Sequence, residues 1–126
     1  MEKPTKIKVQ DYGDMLAKVF DMTLVAYQTY GSYQGEYLAV LEDNGVYKFY
    51  IDSYGSCSGC DWLEAEQDWS TGEVEYKDAL EYCKQITLKF ALPKELWKSL
   101  TNEQKQMLVP DDSYEKEEMK EEIIKV

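Results

Sequence analysis

The residues most able to do chemistry sit in one segment, Tyr54-Gly55-Ser56-Cys57-Ser58-Gly59-Cys60-Asp61-Trp62-Leu63-Glu64. Cys57 and Cys60 form a C-x-x-C pair that follows a strand-like run and precedes a helix start. A dithiol at a helix N-terminus could be redox-active, because the helix dipole favours the thiolate. The surroundings argue the other way: the strands ahead of it read as antiparallel, whereas thioredoxin-type dithiols occupy βαβ units. Asp61 and Glu64 would also raise the thiol pKa. A second chemistry is zinc binding by Cys57, Cys60 and Cys83. Tetrahedral zinc needs a fourth ligand, and with no histidine in the chain Asp52 or Asp61 would have to supply it. The third reading is structural. Gly55 and Gly59 allow unusual backbone angles, the serines satisfy backbone groups, and the cysteines pack beneath Trp62. Cys83 likewise fits an apolar helix stripe, where a buried free thiol is ordinary. The loop reading leads, with no cofactor; a zinc or redox module on Cys57 and Cys60 is the alternative.

A second constellation is acidic. From Asp61 to Glu81 stand eight carboxylates against one cation, Lys77. Two helices are expected across this stretch. Asp61 caps the first, with Trp62, Ala65 and Trp69 as its apolar stripe. The second runs from about Glu73 to Gln85, with Tyr76, Ala79, Leu80 and Cys83 facing inward. On such helices Asp61, Glu64 and Asp68 form one row, and Glu75, Asp78 and Glu81 another. These rows could imitate a phosphate backbone and fill a basic groove, or they could be ordinary solvated faces. Tyrosines add a third feature. Tyr27, Tyr30, Tyr33, Tyr37, Tyr47, Tyr50 and Tyr54 are concentrated in the strand-like region. Tyr33 at a turn and Tyr50 on the more polar strand face are expected to be exposed contacts. The candidate partner-binding set is therefore Glu64, Asp68, Glu75, Asp78, Tyr33 and Tyr50.

Composition narrows the function classes. The 126 residues carry a formal net charge of −11, from 25 acidic and 14 basic residues, and every basic residue is a lysine. Lacking histidine, the chain has no imidazole base, no Ser-His triad and no His-ligated zinc. Lacking arginine, it has no bidentate clamp for phosphate or guanine. Its field repels nucleic acid, so direct nucleic-acid binding is disfavoured and a protein partner with a basic surface is expected. No apolar run approaches the roughly 20 residues that span a bilayer. The polar start, Met1 to Gln10, lacks the apolar core of a signal peptide, so a cytoplasmic location away from membranes is expected.

The elements that position these residues follow from local patterns. Residues 1–10 form an arm or a short strand around Ile7 and Val9. Asp11 caps a helix whose inward positions are Tyr12, Met15, Leu16, Val19 and Phe20. Thr23–Tyr30, Glu36–Glu42 and Val46–Asp52 read as an antiparallel meander, the last two joined by an Asp-Asn-Gly turn. On the third strand Tyr47, Phe49 and Ile51 share one face, with Lys48, Tyr50 and Asp52 on the other. Ile86, Leu88, Phe90 and Leu92 alternate as a fourth strand or continue the helix before them. Pro93 opens a helix with Leu96, Trp97 and Leu100 inward. Thr101 and Gln104 form a capping box before Met107 and Leu108. The charged tail, Asp111 to Val126, is expected to be a frayed helix or disordered, with Glu121 and Lys125 as one favourable pair. The whole is expected to be one α+β domain, an antiparallel sheet of three or four strands packed against short helices from both ends of the chain.

The stretch YGSCSGCDWLE, Tyr54 to Glu64, resembles a motif in small uncharacterised proteins of phages and other mobile elements. It covers about a tenth of the chain, which does not place a fold. The resemblance implies a context: a small viral accessory protein in the host cytoplasm that binds and inhibits a host component. It carries over no catalytic residues.

Overall fold

Strand β3 (Gly35–Asp43) is the centre of the fold, because its residues Tyr37 to Leu41 are all buried. A strand alternates its side chains between two faces, so a run without an exposed position must be covered on both. The computed structural model, which describes residues 5–31, 35–55, 61–113 and 115–126, shows how this is done. A four-stranded antiparallel sheet has the order β2 (Thr23–Gly31), β3, β4 (Val46–Tyr54) and β6 (Leu88–Pro93). Helices α1 (Tyr12–Phe20) and α3 (Tyr76–Gln85) lie on one face; α4 (Lys94–Ser99), α5 (Asn102–Met107) and α6 (Lys116–Ile123) lie on the other. A two-stranded ribbon of β1 (Lys6–Lys8) and β5 (Glu73–Glu75), with the short helix α2 (Trp62–Glu66), completes the first layer. The expected α+β class, the meander, the fourth strand and the packing of helices from both ends are all present.

Each face has its own core. Tyr37, Ala39, Leu41 and Tyr50 meet Tyr12, Met15, Leu16, Ala79 and Cys83 on the α1–α3 side. Leu38, Val40, Tyr47, Phe49 and Ile51 meet Trp97, Val109, Met119 and Ile123 on the other. Tyr50 is thus only 6% exposed, which corrects its expected role as a surface contact. The polar neighbours Lys48 and Asp52 hid the fact that a helix layer covers that face as well. A bulge in β2, between Leu24 and Ala26, lets Leu24 and Tyr27 share the α1 side. Helix α1 sits so close to this strand that a Cβ on Gly13 would fall 2.7 Å from a ring carbon of Tyr27. A glycine inside a helix, normally unfavourable, is what permits that approach.

Three further expectations are corrected. Helix α2 stops at Glu66, so Trp62, Ala65 and Trp69 form no stripe; Leu63 is its buried residue and Trp69 is 95% exposed. Residues Glu73–Glu75 are a strand, because Lys6, Ile7 and Lys8 pair with them, and the helix begins only at Tyr76. The acidic tail is packed. Met119 and Ile123, one turn apart on α6, are fully buried, and Lys125 pairs with Glu122 rather than Glu121. Gln106 Nε2 donates to Lys120 O at 3.2 Å, and Trp97 Nε1 donates to Val126 O at 3.4 Å. Among the described residues no helix is long and apolar enough to cross a membrane.

Met119→Ala should therefore cost about 2–5 kcal/mol, the usual range for truncating a buried methionine. Urea denaturation followed by circular dichroism measures it; a loss below about 0.5 kcal/mol, the range of surface substitutions, would mean that α6 is frayed after all.

Candidate functional site

Two helix caps build the site. Asp11 accepts from the Asp14 amide at 2.7 Å and starts α1. Asp61 accepts from the amides of Leu63 at 3.1 Å and Glu64 at 3.3 Å and starts α2. Each capping aspartate is followed by an aromatic residue, Tyr12 or Trp62, which turns back into the structure. The Tyr12 hydroxyl donates to Asp61 Oδ1 and accepts from Leu63 N at 3.0 Å, tying the two helix starts together.

Behind this link runs a chain of rings. Trp62 stacks on Tyr82 with centroids 4.6 Å apart, and Tyr82 lies 5.6 Å from Tyr12. Tyr12 stacks on Tyr37 at 4.8 Å with the planes parallel to within 1°, and Tyr37 meets Tyr27 at 5.8 Å. Offset and tilted aromatic pairs add stabilisation beyond their buried area. The Tyr37 hydroxyl is buried with no hydrogen bond of good geometry, although the Tyr82 phenol is close enough to act on its ionisation. Burial, above all, raises the pKa of Tyr12, Tyr27, Tyr37 and Tyr82; Asp61, Asp11, Tyr82 and Asp52 respectively add to it. All four phenols are therefore neutral at physiological pH.

Open space flanks the ring chain on two sides. One groove of about 340 Å³ is lined by Asp11, Asp61 and Glu64 together with the rings of Tyr12, Tyr27 and Tyr54. A second, of about 270 Å³ between α2 and α3, is lined by Trp62, Glu66, Asp78, Glu81, Tyr82 and Gln85. No lysine lines either one among the described residues. Carboxylates beside aromatic faces attract ammonium and guanidinium groups, through charge and through the ring quadrupole. They repel phosphate.

The expected site residues are dispersed. Glu64 is on the first groove and Asp78 on the second. Asp68 lies beyond α2, and its carboxylate is occupied by Ser70 and Thr71, whose hydrogen bonds hold its pKa low. Glu75 belongs to β5, 3.9 Å from Lys6. The first expected row is therefore cut short at Glu64, and of the second only Asp78 and Glu81 share the α3 groove, Glu75 lying in β5. Tyr33, Cys57 and Cys60 lie outside the described residues. Cys83 is buried in the core between α1, α3 and the sheet, and burial pushes its thiol up to about 12. Among the described residues no group of three or more Cys, Asp or Glu side chains could hold a metal ion. Sequence reasoning missed Glu66, Glu81, Tyr12, Tyr27, Tyr54, Trp62 and Tyr82 as a joint surface. The repeated Asp–aromatic pair at two helix starts was the available signal. No protein family, curated protein or solved structure matches the chain.

Two predictions follow from this geometry. Tyr12→Phe removes the donor to Asp61 and should lower stability by about 1–3 kcal/mol, as for a hydrogen bond to a charged group. Urea unfolding of the variant checks it, and an unchanged midpoint would mean that Asp61 finds an equal partner in water. The second concerns alkaline pH. A raised pKa in the folded state gives stability that is complete below the unfolded value of 10.0 and is lost as pH rises beyond it. Each such tyrosine should remove about 1.4 kcal/mol per pH unit. In a titration upward from pH 10, the last rise in phenolate absorbance, that of the buried tyrosines, should then coincide with the loss of circular dichroism. Phenolates appearing in full while the fold persists would overturn it.

Proposed function

We propose that this is a non-enzymatic binding protein whose α2–α3 face receives the cationic side chains of a basic protein. The observation that carries the reading is the state of the carboxylates there. Glu64, Glu66, Asp78 and Glu81 line two aromatic grooves, and none makes an ion pair among the described residues. The ion pairs of the described residues all lie elsewhere: Glu75 with Lys6, Asp14 with Lys18, Asp43 with Lys48, Glu42 with Lys94, Glu117 with Lys120 and Glu122 with Lys125; scattered carboxylates such as Asp21, Glu95 and Glu103 are also without one, but they do not line these grooves. Unpaired like charges repel one another, a cost that a basic surface would relieve. The neutral phenols support binding rather than proton transfer, since they offer hydrogen bonds and ring faces but no base. The motif at Tyr54 to Glu64 supports a viral setting, in which the partner is a host protein that handles nucleic acid and the chain blocks its basic groove.

A ten-arginine peptide is a defined probe, read by calorimetry at about 50 mM salt, where screening is weak. The variant E64Q/E66Q/D78N/E81Q should bind it more than about tenfold more weakly, with a flatter salt dependence. A control with the same net charge, E103Q/E117Q/E118Q/E121Q on the opposite layer, should lose less than about threefold. Equal losses in the two variants would show that net charge alone attracts the peptide, and the reading would fall.

A further inference from the structure

Trp69 is the largest side chain left in water. At 95% exposure it contrasts with Trp97, which is fully buried, and with Trp62, which stacks on Tyr82. Indoles usually bury most of their surface, so one held out calls for a reason.

The turn that carries it is braced. Asp68 Oδ1 accepts from the Ser70 amide at 2.9 Å, the Ser70 hydroxyl at 2.7 Å and the Thr71 amide at 3.4 Å. The Gly72 amide donates to Asp68 O at 2.7 Å, and the Asp68 amide donates to Glu73 O at 2.9 Å. Gly72, at φ +75°, closes the loop in a conformation that suits glycine. Gln67 Nε2 then fastens the base by donating to Val9 O at 2.7 Å and Gly72 O at 3.0 Å. A side chain on so constrained a loop loses little backbone freedom on binding, which favours affinity. Glu66, Asp68 and Glu73 flank it in sequence, and no lysine stands between Asp61 and Tyr76.

We propose that Trp69 is the anchor of a protein–protein interface, its indole entering an apolar pocket rimmed by lysine or arginine on a basic partner. The inference rests on the acidic-face reading above and adds to it the contact that would supply most of the affinity. Tryptophan is among the residues most enriched at such anchor positions. The charge around it selects the occupant. A second copy of the chain would bring together two surfaces of net charge −11, and an anionic membrane would be repelled.

A photo-crosslinking amino acid placed at position 71 of the full chain, two residues from an intact Trp69, in cells that express it, tests the idea. The expected product is a heterologous protein cross-linked through a segment bordered by lysine or arginine. That protein, purified, should bind Trp69→Ala about 30-fold or more weakly than the parent, the range of an anchor residue. Met107→Ala, at the other strongly exposed apolar position among the described residues (82%) and on the opposite layer, should bind within about twofold. Thermal melting of Trp69→Ala should match the parent. Cross-linking to a second copy of the chain, or no protein cross-link, would overturn the proposal. So would a Trp69→Ala loss below about threefold; if E64Q/E66Q/D78N/E81Q still weakened binding, the acidic-face reading would survive it, and if neither did, both would fall.

Discussion

The fold depends on burying both faces of β3. Tyr37, Ala39 and Leu41 point to one helix layer and Leu38 and Val40 to the other, so neither layer can be removed without exposing a row of apolar residues. β4 reinforces this, with Tyr50 on the first side and Tyr47, Phe49 and Ile51 on the second. The order of elements along the chain then follows. Helices α1 and α3, before β2 and between β4 and β6, cover one face, and α4, α5 and α6, after β6, cover the other. Phe49 shows how closely the second layer is joined to the sheet, its ring 4.4 Å from Phe90 and 4.7 Å from Trp97. Lys105, itself buried at 8% exposure, closes that group with its ammonium 5.0 Å from the Trp97 ring.

Features governed by neighbours in sequence were legible without coordinates. Asp11, Asp61 and Thr101 cap the helices expected of them, and Thr101 with Gln104 closes a reciprocal capping box. Asn44 and Gly45, both at positive φ, make the hairpin turn that their types require. What failed depended on distant partners or on turns that override periodicity. β5 exists only because Lys6 to Lys8 pair with it from the start of the chain. Asp68 hydrogen-bonds the amides just after it, and this turn ends the spacing that seemed to place Trp69 with Trp62. α6 reads as polar throughout because two buried anchors, Met119 and Ile123, are enough to dock it.

The candidate site was legible only in pieces for the same reason. Tyr12 looks like one more inward helix position, and it is one, but its hydroxyl ends at Asp61 from 49 residues away. Glu64 and Asp78 were chosen for charge and do line grooves, whereas Asp68 and Glu75 have charges already committed within the fold. A count of carboxylates cannot separate these cases. What separates them is whether a donor lies within reach, and that is set by backbone geometry.

The two sets of acidic residues also differ in what they contribute to stability. Asp11, Asp61 and Asp68 organise backbone amides at helix starts and in a turn, and each would cost stability if neutralised. Glu64, Glu66, Asp78 and Glu81 make no ion pair among the described residues, and their like charges repel one another. Surface ion pairs contribute little to folding, so lysines here would have added little, yet they would have removed the field that draws a cation into the grooves beside the rings. Their absence beside Tyr12, Tyr82 and Trp62 therefore matters little for folding, and a basic partner is the agent that would turn the repulsion into attraction.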